Sequence, residues 1–421
     1  MLADRLKTLA PSSTLAVQAK ARELRRRGVD VVTFGAGEPD FDTPERIKDA
    51  AIQAMRQGHT KYTEVGGVPE LRAAVCGKFK RDNGLDYEPA DVLISCGAKH
   101  TLFNMVVALL NPGDELLVPS PFWVSYPEQA RLVGAVPVTV PTREATGFDL
   151  DPERLGAAVT PRTKAIILNS PNNPTGAVFS PAALAAVAEL AVERNLFVVS
   201  DECYEALTFE GRHVSIASLG PEIKARTLTI NTCSKAYAMT GWRIGFAAGP
   251  RDLIRAMTDV QSQVTSNPSS IAQWAAIEAL VGPQDEVAKM AGEFDRRRRL
   301  IVQGLNALPG VSCVMPKGAF LRVRERLRNV RASVEGGRGH ESHQGLPRHH
   351  RVLPRGGEGG RRARRRLRLR RSRAPVVRDQ RAAHHRRADA DGGGAGATGV
   401  IARPRLDSAR HSRVRRATDE A

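Results

Sequence analysis

The stretch NTCSKAYAMTGWRIGF, residues 231–246, places Ser234, Lys235 and Arg243 directly behind an apolar, β-branched run, TLTIN. Lysine is seldom placed against a core unless it is used there. A lysine amine forms a Schiff base with a carbonyl once burial or a neighbouring cation lowers its proton affinity. Ser234 and Arg243 have the chemistry to hold a phosphate, the guanidinium as a planar fork. Read singly, the same residues also fit an exposed turn.

Four further segments carry matching chemistry. VVSDECY puts Asp201 at the end of an apolar run, with Tyr204 just beyond. A buried carboxylate needs a partner, and a protonated ring nitrogen of a cofactor would serve. NSPNNPTG follows AIILN and offers the Asn173 amide as a donor; its ordinary reading is an Asn-Pro turn. SCGAKHTLF is a glycine turn opening a helix, where the amides of Gly97, Ala98 and Lys99 suit an anion. Trp123, in PSPFWVSYP, has a plane able to stack on a ring, although a lone Trp is more often core.

Positioning these groups falls to alternating strands and helices. DVLIS, ELLVPSP, AVPVTVP, TKAIILN, NLFVVSD and TLTIN read as strands, and VDVVTF as an earlier short one. Helical spacing marks STLAVQAKARELRRR, PERIKDAAIQAMRQG, SPAALAAVAELAVERN and a long stretch over about 250–310; GVSCVMPKGAF should start a further strand. Near-continuous apolar strands alternating with helices predict an α/β fold, a mostly parallel sheet sandwiched by helices. Ligands of such sheets gather at the strands' C-terminal ends.

Charge divides the chain. Residues 321–421 hold 28 Arg, no Lys and 10 acidic residues, so they carry the whole formal charge of +18. The first 320 residues balance, with 35 basic and 35 acidic side chains. The 321–421 segment has no Phe, Trp, Tyr, Cys or Met, and cannot offset the chain entropy of folding. The five cysteines show neither metal-ligand nor redox-pair spacing, which favours a reducing cytoplasm. The N-terminus lacks the pattern of a secretory signal, and no run of about 18 apolar residues is present to span a membrane.

Together AGEPDFDTP, KYTEVGGVPELR, PNNPTG, DECY and SKAYAMTGWRIG resemble the class I aminotransferases of the fold-type I pyridoxal-phosphate enzymes. Within that family the chain is most similar to bacterial aspartate aminotransferases, from about residue 10 to 320. The resemblance implies pyridoxal 5'-phosphate as cofactor, with Lys235 as Schiff-base lysine and proton shuttle. It implies Asp201 on the ring nitrogen, Tyr204 and Asn173 on the ring hydroxyl oxygen, and Trp123 on the ring face. Gly97, Ala98, Ser234 and Arg243 would hold the phosphate, and Lys99 would also belong to the cofactor site. Tyr62 would reach the neighbouring subunit's site in a homodimer. Gly37 would lie by the substrate α-carboxylate, and Lys99 by the distal carboxylate of aspartate, glutamate or 2-oxoglutarate. Ala10, where some relatives that use prephenate carry a basic residue, tilts against that substrate.

The implied organisation is an N-terminal arm and first part of a small domain (1–42), a large cofactor-binding domain (43–290), the start of the small domain's C-terminal part (291–320), and an Arg-rich tail (321–421). The small domain is expected to be incomplete. The family continues PKGAF with an aromatic and later an R-x-S-Y-A-like strand whose arginine grips the substrate carboxylate, and nothing in 321–421 matches. Such a tail is expected either to bind nucleic acid through phosphate charge or to be out-of-frame translation of GC-rich DNA. The abrupt change within a motif favours the latter, with impaired transamination. The expected function is ping-pong transamination from aspartate to 2-oxoglutarate. Aromatic, methionine or kynurenine-type aminotransferases are the alternative, and a nucleic-acid-binding protein using the tail is the alternative of another class. No metal site is expected.

Overall fold

A computed structural model describes residues 3–7, 9–10, 13–32 and 37–320; the expectations for 321–421 lie outside these. Seven strands form one sheet: β1 (Val92–Ser95), β2 (Glu115–Ser120), β3 (Val136–Pro141), β4 (Thr163–Asn169), β5 (Phe197–Asp201), β6 (Thr227–Thr232) and β7 (Gly245–Ala248). Their order is β1-β7-β6-β5-β4-β2-β3. The run from β6 to β3 is parallel, whereas β7 pairs antiparallel with both β6 and β1. Helices precede, connect and follow the strands: α1 (Ser13–Arg26), α2 (Glu45–Arg56), α3 (Pro69–Lys78), α4 (Ala98–Leu109), α5 (Ser125–Leu132), α6 (Pro152–Ala158), α7 (Pro181–Glu193), α8 (Pro221–Lys224), α9 (Cys233–Ala236), α10 (Arg251–Val264), α11 (Ser270–Val281) and α12 (Asp285–Asn306).

Successive strand side chains face opposite sides, and both sides are covered. Leu93, Ile167 and Ala247 pack with Met105 of α4 and Met257 of α10 on one face. Ile94 and Phe246 pack with Leu71 of α3 and Ala276 of α11 on the other, where Ile166 and Val198 meet Leu184 and Val187 of α7. This double burial is why the strands read as continuous apolar runs rather than alternating ones.

Three expectations change. VDVVTF forms no strand over its described residues: Val29 and Val32 are 47% and 76% exposed, so no partner rewards extension. GVSCVMPKGAF makes one isolated bridge, Thr208 to Gly318, with Lys317 anchored to Gly176 and Phe209, and no ladder forms beside it. The 250–310 stretch is three helices, α10 to α12, interrupted at Ser269, which caps α11, and at Gly282–Pro283. The sequence reading also passed over β7. It is four small or aromatic residues, reached from β6 through 233–244, which turn the chain back so that β7 runs antiparallel to β6.

Candidate active site

The register brings one edge of the sheet together. Asn169 pairs with Asp201, and Gly245 pairs with both Thr232 and Ser95. The antiparallel β7 therefore begins where β1, β4, β5 and β6 end. Every candidate on the turns after these strands, and Arg243 just before β7, is delivered to that edge.

Asp201 is 4% exposed. Its Oδ2 accepts a hydrogen bond from the Tyr126 hydroxyl at 2.6 Å and its Oδ1 accepts from the Cys203 amide at 3.2 Å. Burial raises its proton affinity, against the pull of these donors. A carboxylate so placed favours a cation within reach. Tyr126, at the start of α5, was not singled out in the sequence, although it sits three residues past Trp123 in PSPFWVSYP. The two rings meet edge to face, with centroids 5.5 Å apart.

Lys235 lies on the short helix α9, which Thr232 caps by accepting from the Ser234 amide. The Lys235 ammonium donates to the Gly37 carbonyl. Nζ stands 5.9 Å from the Tyr204 ring centroid and 5.3 Å from that of Phe320. Burial above all, with Arg243 assisting, lowers its proton affinity below the ordinary lysine value, while Cys203, Glu38 and Asp201 oppose this. The Asn173 amide donates to the Tyr204 hydroxyl at 3.4 Å. Asn169, also missed, holds both sides of this corner. Its side chain donates to the Asp201 carbonyl at 3.0 Å and accepts from the Asn173 backbone N–H at 2.7 Å. The available signal was a polar residue closing an apolar strand.

An anion cradle forms beside these groups. Gly97 caps α4 at φ +85°, and a Cβ there would lie 2.3 Å from Arg243 Nη2. A Cβ on Gly245 would lie 2.2 Å from the Ala98 nitrogen. Only glycine permits either approach. Arg243 donates to the carbonyls of Thr240 (2.9 Å) and Cys96 (3.4 Å), with no carboxylate paired to it among the described residues. The Ser234 hydroxyl shares a hydrogen bond with Thr232 at 2.8 Å. The first amides of a helix have no partner of their own, so the start of α4, Ser234 and Arg243 suit a dianionic phosphate.

Lys99 stands over the Trp123 ring, 4.8 Å from its centroid, and desolvation and then Arg243 lower its proton affinity. Gly37 lies against Lys235 and Phe320. Tyr62 is the candidate not gathered: it is 91% exposed and makes no contact with the others. A ring ladder runs from Phe320 beside Lys235, with Phe294 of α12 meeting Phe41 and Phe320 at centroid distances of 5.4 and 5.0 Å.

A lysine of lowered proton affinity just past a strand, a buried carboxylate and a cradle suited to an anion lie together on one sheet edge, an arrangement able to hold a phosphorylated carbonyl cofactor. The family model of the class I and II aminotransferases matches residues 29–332. The chain belongs to that family. The aspartate aminotransferase of Geobacillus stearothermophilus is 54% identical over 320 residues, covering 76% of this chain and 81% of that protein. The aspartate/prephenate aminotransferase of Thermus thermophilus is 53% identical over 322 residues, 76% of this chain and 83% of its own. The solved structure of a Thermus thermophilus aspartate aminotransferase with maleate matches at a TM-score of 0.74 and 51% identity, covering 76% of this chain and 83% of that one.

Class I aminotransferases use pyridoxal 5'-phosphate, and the residues present fit it. The cradle would take the phosphate, Asp201 the ring nitrogen, Asn173 and Tyr204 the ring oxygen, and Lys235 the aldehyde carbon. When bound, the cofactor supplies an electron-withdrawing ring conjugated to the substrate amine. Among the described residues no helix is long and apolar enough to cross a membrane.

Proposed function

We propose that this aminotransferase moves the amino group of aspartate to 2-oxoglutarate by a ping-pong cycle in the cytoplasm, as a homodimer whose Tyr62 completes the neighbouring site. The observation that carries the substrate choice is Lys99, held over Trp123 in the first turn of α4 and close enough to Arg243 to feel its charge, where an ammonium offers a distal carboxylate a partner. In this reading Lys235 Nζ takes and returns the proton at the substrate α-carbon. Asp201, whose anionic form Tyr126 and the Cys203 amide favour against burial, would hold the ring nitrogen protonated. Trp123 covers the ring, and Gly37 lies by the α-carboxylate. The relatives' names support aspartate; Ala10 weighs against prephenate.

The boundaries at residues 42, 290 and 320 belong to this reading. So does weak turnover, because no residue of 321–421 matches the carboxylate-gripping arginine of the family. Loss of a bidentate clamp costs about a hundredfold or more in rate. The experiment is a single-turnover measurement of the amino-donor half-reaction, with aspartate and with phenylalanine, followed by the cofactor's absorbance. Aspartate is expected to react faster, and slowly against the curated relatives. A preference for phenylalanine would transfer the assignment to the aromatic class. Salt-sensitive DNA binding that is lost on truncation after Phe320 would instead give the Arg-rich segment its own function.

A further inference from the structure

Behind the strand that carries Asp201 lies a second layer of charge that the site described above does not use. Glu202 is fully buried and faces away from Tyr126. Its Oε1 accepts from the hydroxyls of Ser200 (2.8 Å) and Ser215 (2.7 Å). Its Oε2 lies 3.0 Å from His213 Nε2 and accepts from the Asn83 amide at 3.2 Å. The same amide donates to Glu205 Oε2 at 2.7 Å. The other Glu205 oxygen takes the Lys78 ammonium and the Asn231 amide, the latter at 2.7 Å. Asn231 in turn accepts from the backbone amide of Thr232, the cap of α9, at 2.7 Å.

Glu202, Glu205 and His213 present three ligand atoms within 4.8 Å of one another. Their carboxylate oxygens are already taken by Lys78, Asn83, Asn231 and two serines, so the cluster is an ion-pair network rather than a cation site. Its position is what gives it a consequence. Glu202 and Glu205 flank the Cys203–Tyr204 turn, and the Glu205 amide donates to the Glu202 carbonyl at 3.0 Å. The network ties the turn bearing Asp201 and Tyr204 to the end of β6, which leads into α9 and Lys235.

We propose that Glu202 and His213 are positioning residues for transamination, a buried ion pair that holds the Asp201–Tyr204 turn and balances the charge behind Asp201. The inference rests on the cofactor assignment above. An unbalanced carboxylate beside Asp201 would raise the proton affinity of the whole site, and removing that carboxylate would lower it. Other charged or titratable groups near the pair are Lys78 from α3, Glu205, Tyr87, and Asp201 itself.

The test titrates the visible absorbance of the bound cofactor against pH in the holoenzyme, for H213Q and for E202Q. His213→Gln leaves Glu202 unbalanced and is expected to move the midpoint up, by on the order of half a pH unit. Glu202→Gln is expected to move it down. Amide exchange of residues 201–205 should quicken in both. Shifts of the same sign, or no shift, would reduce the pair to packing and overturn the proposal. If E202Q does not fold, H213Q decides alone: an upward shift supports the proposal, while an unchanged or lowered midpoint overturns it. Loss of cofactor binding by the unsubstituted chain would instead strike the cofactor assignment itself.

Discussion

The Tyr126 hydroxyl stands 2.6 Å from Asp201 Oδ2 in a fully buried contact between the first turn of α5 and the end of β5. A hydrogen bond to a charged group contributes about 1.5–3 kcal/mol. This one favours the anionic form that a protonated ring nitrogen requires. Tyr126→Phe should therefore raise the proton affinity of Asp201 and slow the amino-donor half-reaction by about tenfold or more. Single-turnover absorbance would read the rate, with cofactor still bound. An unchanged rate would mean that Tyr126 only fills space.

Gly97→Ala probes the cradle. The added methyl would meet the Arg243 guanidinium at 2.3 Å on a backbone of φ +85°. The strain costs about 1–2 kcal/mol, and Arg243 must swing away from the phosphate position. Cofactor affinity is expected to fall by about tenfold to a hundredfold, measured by equilibrium binding to the stripped enzyme. Unaltered affinity would move the phosphate elsewhere.

Lys99→Gln removes the ammonium over Trp123 while keeping most of the side chain's length. Selectivity for aspartate over phenylalanine, as a ratio of kcat/KM, should drop by about tenfold or more, because a charge-assisted contact of about 1.5–3 kcal/mol is lost for one substrate alone. If the ratio holds, Lys99 is a solvated residue at the start of α4.

The Glu202–His213 pair should give stability a definite pH window. Against burial, which raises it, His213 and then the Ser215 and Ser200 hydroxyls hold the proton affinity of Glu202 below the usual carboxylate value. That stabilisation is present above a pH of about 4.3 and is lost as pH falls through the lowered native value. His213 is raised by Glu202, against burial. Its share is complete below a pH of about 6.5 and is lost as pH rises through the raised native value. The deficit in Tm of H213Q should accordingly be larger at pH 6 than at pH 9, with breaking of a buried pair costing about 3–5 kcal/mol at the former. Equal deficits at both values would show that the imidazole is uncharged.

Much of the site was legible in residue types. Asp201 closes an apolar, β-branched run, and Gly97, Asn173 and Lys235 follow others within four residues; polar chemistry just past a buried strand's end has few structural uses. Six of the seven strands followed from continuous apolar runs, which a doubly covered sheet demands, and the longer helices from their spacing, with α10 to α12 read as one. What the sequence could not display was partnership across the chain. Tyr126 looks like any aromatic at a helix start until the fold sets it against Asp201, 75 positions away. Gly245 looks like ordinary punctuation until β7 turns antiparallel and brings its Cα against the start of α4. Glu202 and His213 look like surface charges in a polar loop until burial pairs them.

The sequence by itself determined most of the elements, the balanced 320-residue body, the Arg-rich character of 321–421 and the chemical types available at each strand end. Those depend on local pattern and composition, which every residue carries with it. The tertiary structure decided which side chains meet: that β1, β4, β5, β6 and the start of β7 share one edge, that Arg243 faces Gly97, and that a charged layer lies behind Asp201. Such contacts depend on strand order and register, set by the packing of the whole core rather than by any one segment.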